Sequence, residues 1–246
     1  MWGARGQRVM IQIFDDKEQL SQAAAKLFAE EACKAVAARG RFCVALAGGS
    51  TPRQTYHQLA LAPLCEQIPW SQVHIFWGDE RCVPGDDPRS NARMAHEALL
   101  DRVPIPAAQI HAMTCTRNPE ASARRYQALL QKFFEPDAPR FDLILLGLGE
   151  DGHTASLIPG TAAPQERVRL VTPVQKPGED FSRLSLTAPL INQARMVAFL
   201  VSGPAKAKIL RQVQAGPRDQ FPAQLIAPLN GDLCWLVDKA ATEQAS

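Results

Sequence analysis

The sequence predicts an α/β fold, a doubly wound, mostly parallel sheet with helices on both faces. Short aliphatic or β-branched runs alternate with longer helical stretches along the chain, the pattern of strand–helix–strand units. One run, Phe141 to Leu148 (FDLILLGL), is apolar at nearly every position, which marks a central strand buried on both faces. With 246 residues and 46% hydrophobic content, the chain can bury a full core as a single domain, 1–246, without disulfides, metals or a partner.

Val9 to Phe14 reads as the first strand. The alanine-rich stretch from Lys17 to Ala38 suits one long helix, with Asp15 or Asp16 as N-cap and Gly40 as terminator. Phe42 to Ala47 is a buried strand, and Pro52 then stands where the first turn of the next helix tolerates a missing N–H. His74 to Trp77 forms a short strand that leads into a charged loop, Gly78-Asp79-Glu80-Arg81. Helices follow at Asn91 to Leu100 and Ala121 to Phe134. Beyond the central strand, Thr161 to Asp180 reads as a long surface excursion with one strand at Val168 to Val171. Further strands fall at Leu184 to Leu186, Met196 to Val201 and Leu233 to Val237, and Gly203-Pro-Ala-Lys206-Ala-Lys208 opens a helix after the second of these.

The net charge of +2 is small, and Lys and Arg are dispersed, so neither a nucleic-acid surface nor a membrane surface is expected. The six cysteines form no CxxC pair and several sit in apolar runs, which predicts free thiols in a reducing compartment. No signal-peptide core or apolar run of membrane-spanning length is present, so a cytoplasmic protein is expected.

Several turns could carry chemistry. Gly48-Gly49-Ser50-Thr51-Pro52 lies between a strand end and a helix start. Its glycines let the backbone approach an anion, and its hydroxyls and free helix N–H groups can bind one. An ordinary tight turn would have the same residues. Gly147 to Gly152 matches GxGxxG, but Glu150 and Asp151 would oppose a pyrophosphate and Pro159-Gly160 leaves no room for the receiving helix, so a dinucleotide is not expected. What remains is a loop carrying Asp151 and His153, a histidine suited to proton transfer near neutrality with a carboxylate to fix its tautomer. Arg81 could face an anionic oxygen with Asp79 or Glu80 orienting it. Arg183 and Lys206 could close on a phosphate, although solvated surface charge is the usual fate of such residues. Ser156 is not in GxSxG, and the five histidines lack HExxH or other metal-ligand spacing, so no cofactor and no metal are expected.

Together GGSTP, WGDER, the Ser90-Asn91 pair, GLGEDGHTASLIPG, SRLSLTAPLIN and GPAKAK resemble the 6-phosphogluconolactonase family, in family order from about residue 42 to residue 210. The resemblance implies a Rossmann-like domain, shared with the glucosamine-6-phosphate deaminases. Their loop typically continues DGHIAFNEP; here Leu157 and Ile158 replace the Asn-Glu pair, and Arg81 stands where deaminases usually have tyrosine. The implied reaction is hydrolysis of 6-phospho-D-glucono-1,5-lactone to 6-phosphogluconate in the pentose phosphate pathway, without a covalent intermediate. The implied roles are His153 as general base and then acid, Arg81 on the carbonyl oxygen or anchoring the substrate, and Asp151 or Asp79 in support. Gly48, Gly49, Ser50, Thr51, Arg183 and Lys206 would hold the 6-phosphate. A deaminase, or a sugar-phosphate sensor, is the alternative; a sensor of the transcription-regulator type would need a DNA-binding module, and no helix-turn-helix pattern is present. The oligomeric state is left open, a monomer being compatible.

Overall fold

A computed structural model describes residues 8–217 and 219–243. The chain opens with β1 (Val9–Phe14) and α1 (Lys17–Arg39). Of the two candidate caps for α1, Asp16 is the one used, its carboxylate accepting from Gln19 N at 2.8 Å. Gly40 ends the helix at φ 74°, a left-handed conformation that glycine adopts without steric cost. The buried alanines 24, 25, 29, 32 and 35 keep the buried face of α1 shallow, so the helix can lie close to its neighbours.

Next come β2 (Phe42–Leu46), α2 (Ser50–Leu59), the short α3 (Leu64–Gln67) and β3 (Val73–Trp77). The expected charged loop is instead a strand, β4 (Asp79–Arg81). The chain continues through α4 (Asn91–Ala98), α5 (Pro119–Phe134) and β5 (Leu143–Leu146). It ends with β6 (Val171–Gln175), β7 (Ser182–Leu186), α6 (Ala188–Ile191), β8 (Met196–Val201), α7 (Ala207–Ala215) and β9 (Asp232–Asp238).

Six strands form one sheet in the order β1-β9-β8-β5-β2-β3, every pairing parallel. All residues of β2, β5 and β8 are buried. Because successive strand side chains point to opposite faces, both faces are covered there, as the run at Phe141 to Leu148 predicts. β5 is central. From β2 the chain moves outward to β3, and from β5 it moves the other way to β8, which leaves a crevice at the carboxyl ends of β2 and β5.

A second, antiparallel sheet, β4-β7-β6, was not anticipated. The strand expected at Val168 to Val171 lies three residues later, and Val168 itself is 88% exposed. The expectation of free thiols fails at one pair: Cys82 and Cys115 form a disulfide. They lie 33 residues apart in sequence and meet only because the fold brings the end of β4 against the segment before α5. Cys33, Cys43, Cys65 and Cys234 are free. Among the described residues no helix is long and apolar enough to cross a membrane.

Candidate active site

Loops from the carboxyl ends of β2, β3, β5 and β8 converge on a cavity of about 290 Å³. Gly48, Gly49, Ser50, Thr51, Asp79, Arg81, His153, Arg183 and Lys206 all line it. Asp151 stands behind His153.

The turn after β2 is held from inside the protein. The hydroxyl of Tyr56, fully buried on α2, donates to Ala47 O at 2.8 Å and accepts from Ala47 N at 2.9 Å. Gly49 has φ 103°, a conformation a side chain would strain, and it sets up the start of α2 at Ser50. A Cβ on Gly48 would lie 2.0 Å from Asn91 Oδ1, so the loop and α4 touch backbone to side chain.

The loop after β5 is a tight turn, with Gly152 N donating to Gly149 O and Gly149 N to His153 O at 2.8 Å. A Cβ on Gly149 would fall 2.1 Å from His153 Nδ1, so only glycine leaves space for the ring. Asp151 Oδ1 accepts from His153 N at 3.1 Å and also meets the ring at Nδ1. That contact occupies one ring nitrogen and leaves Nε2 as the other proton-handling atom. Burial pushes the Asp151 carboxyl up, but the backbone bond, the charge and the ring contact of His153 outweigh it and hold the carboxyl below its usual range.

The two carboxylates of β4 have separate tasks. Glu80 turns away from the cavity and accepts from Ser90 Oγ, Asn91 N and Ala92 N, closing the first turn of α4. Burial raises its pKa despite those bonds. Asp79 lines the cavity, accepting from Ser156 Oγ at 2.6 Å, with Arg183 at 3.9 Å. Arg81 donates to Arg89 O at 2.5 Å, while its buried Nε has no partner.

Arg183 is gripped by a residue the sequence reading did not single out. Glu179 takes its Nε and Nη2 at 2.8 and 2.7 Å, and this pairing with Arg183 holds the Glu179 carboxyl below its ordinary range. Lys206 pairs more loosely with Glu150 at 3.7 Å. Asp238, at the end of β9, receives Gly203 N at 3.0 Å and Ser202 Oγ, which fixes the turn that presents Lys206. Glu179 carried a weak signal, an acid four residues before a candidate arginine. Asp238 carried none.

Residues 15–235 match the family described as glucosamine-6-phosphate isomerases/6-phosphogluconolactonase. A 6-phosphogluconolactonase of Synechocystis is 45% identical over 95% of this chain and 97% of its own length, and one of Nostoc is 42% identical over 96% and 98%. Among solved structures, the 6-phosphogluconolactonase of Trypanosoma brucei superposes with a TM-score of 0.84 at 29% identity, covering 97% of this chain and 99% of that one. With the match spanning nearly all of both sheets and every loop around the cavity, the chain belongs to the glucosamine-6-phosphate isomerase/6-phosphogluconolactonase family.

Proposed function

We propose that this chain, acting as one domain, hydrolyses 6-phospho-D-glucono-1,5-lactone to 6-phosphogluconate, with His153 as the group that moves the protons. The observation that carries the reading is the sharing of one cavity by His153, its ring backed by Asp151, and by the Gly49–Ser50 turn, Arg183 and Lys206.

A δ-lactone is an activated ester, so water suffices as nucleophile. His153 Nε2 takes a proton from the water as its oxygen adds to C1, giving a tetrahedral oxyanion. The intermediate then collapses with cleavage of the bond from C1 to the ring oxygen, and the imidazolium returns its proton to that oxygen. Asp151 holds the ring at Nδ1 and so keeps Nε2 directed into the cavity for both transfers. Arg81 lines the same cavity, and its guanidinium would offset negative charge as it grows on the carbonyl oxygen. Asp79, tied to Ser156 and close to Arg183, orders the cationic side of the cavity.

At the far end of the substrate, the 6-phosphate would take the N–H groups and hydroxyls of Gly48 to Thr51 together with Arg183 and Lys206. Binding energy gained there orients the reacting carbonyl. The loop residue Ile158 is buried and apolar, with no proton to relay, and this favours the lactonase over deamination. No metal or cofactor enters this scheme, and a cytosolic setting is part of the proposal.

Lactonase assay of His153→Ala is the test: kcat should fall about 10²- to 10⁴-fold with the fold retained. Undiminished turnover would reject the mechanism, and robust ammonia release from glucosamine-6-phosphate would reject the assignment.

A further inference from the structure

The opposite rim of the six-stranded sheet, where β2, β5 and β8 begin, holds a second cavity of about 620 Å³. Four arginines line it, Arg39, Arg41, Arg140 and Arg195, against only two aspartates, Asp137 and Asp142. The lining therefore carries a net charge of +2, as much as the whole chain.

Placement explains the convergence. Arg41 directly precedes β2, Asp142 precedes β5 and Arg195 precedes β8, so three adjacent parallel strands present their entry residues side by side. Asp142 is buried and serves two of the cations: Arg39 Nη2 stands 2.8 Å from its Oδ1 and Arg195 Nε 3.3 Å. Its other oxygen is taken by Cys43 N at 2.8 Å. Among the described residues, Arg41 and Arg140 have no carboxylate partner.

Arg140 is fixed by donating to Gln193 O and Asn230 O, at 3.0 and 2.6 Å. Arg41 lies over the rings of Phe133 and Phe134, at 4.8 and 5.6 Å, and makes no side-chain hydrogen bond among the described residues. The Nε of Arg195 is buried and, although paired by charge with Asp142 at 3.3 Å, makes no hydrogen bond. Burial first, and then the nearby charges of Arg140 and Arg39, push its guanidinium below the ordinary range. Four guanidinium forks held together with one buried counter-charge leave an excess of donors and positive potential that a multivalent oxyanion would neutralise.

We propose that this cavity is a second binding site, for a small polyphosphate anion of the pyrophosphate class. Guanidinium forks match phosphoryl oxygens in pairs, and the cavity is large enough for two linked phosphoryl groups. The site lies at the far end of β2, β5 and β8 from the candidate active site, and so does not share its residues.

Calorimetric titration of inorganic pyrophosphate into the full chain tests this, with three single variants beside the wild type. Binding should weaken about tenfold in both Arg41→Gln and Arg195→Gln, the loss expected for one charged hydrogen-bonding partner, and should survive in Lys206→Ala. Arg41→Gln breaks no hydrogen bond of the fold, so its result reads binding and not unfolding. Absence of pyrophosphate binding to the wild type, loss confined to Lys206→Ala, or retention in both arginine variants would overturn the proposal. Failure of the hydrolase assignment would show instead as ammonia release from glucosamine-6-phosphate and leave this titration unaffected.

Discussion

Single side chains explain why the candidate site residues stand where they do. Gly149 is an example: its missing Cβ makes room for the imidazole of His153. Gly149→Ala should therefore cut lactonase turnover by about a hundredfold, in the range of a displaced general base, while a circular-dichroism melt shows a folded protein. A different pair of histidines governs acid sensitivity. His74 Nδ1 and His111 Nε2 lie 3.2 Å apart, within hydrogen-bonding distance of each other. Burial first, then His111 and Arg41, brings the His74 pKa down to about 4, and burial lowers that of His111. The unfolded chain then binds protons that the folded one refuses, so stability is complete above about 6.5 and is lost as pH falls toward about 4. His74→Gln should flatten the dependence of Tm on pH across that window, and an unchanged slope would assign it elsewhere. At this scale the sequence exposed His153 and Asp151, because they are neighbours in one loop. It hid Asp238, whose partner Gly203 is 35 residues away.

At the scale of elements, long periodic or wholly apolar segments were legible and short polar ones were not. α1, β5 and β8 stand where the pattern of residues puts them. β4 has three residues, too few to show an alternation, and its charges read as a loop; pairing with β7 makes it a strand, Asp79 opposite Ser185 and Arg81 opposite Arg183. That pairing sets two candidate site arginines side by side. β6 includes Pro173, which argues against a strand on sequence grounds but is tolerated where a sheet ends, and β6 is the last strand of its sheet. The Cys82–Cys115 bond, invisible to spacing rules, closes the chain between β4 and α5. Reducing it, or replacing both residues by serine, should lower unfolding free energy by about 3 kcal/mol through loss of the loop constraint. Denaturation with and without dithiothreitol measures this, and the double serine variant should be indifferent to the reductant.

For the whole molecule, the parallel sheet converts sequence order into position, delivering chemistry to one rim from turns far apart along the chain. Its rigidity depends on strands buried on both faces. Ile144 in β5 is fully buried, and Ile144→Ala should cost about 2–5 kcal/mol in urea unfolding at unchanged m-value. The overall architecture was legible because burial of an entire strand needs a continuous apolar run; the second sheet was not, because β4 and β7 share their length with charged site residues and β6 is interrupted by Pro173.

The bidentate grip of Glu179 on Arg183 has a consequence for traffic through the enzyme. If Arg183 takes the 6-phosphate as proposed, an arriving phosphate would displace a tenant instead of falling onto a naked cation, so occupancy would become a swap between rival anions and the departing product would be replaced by a group already waiting alongside. Glu179→Gln should remove that rival, and inorganic phosphate should then inhibit the enzyme at lower concentration than it does in the parent. A site arranged this way trades tenacity for brisk clearance.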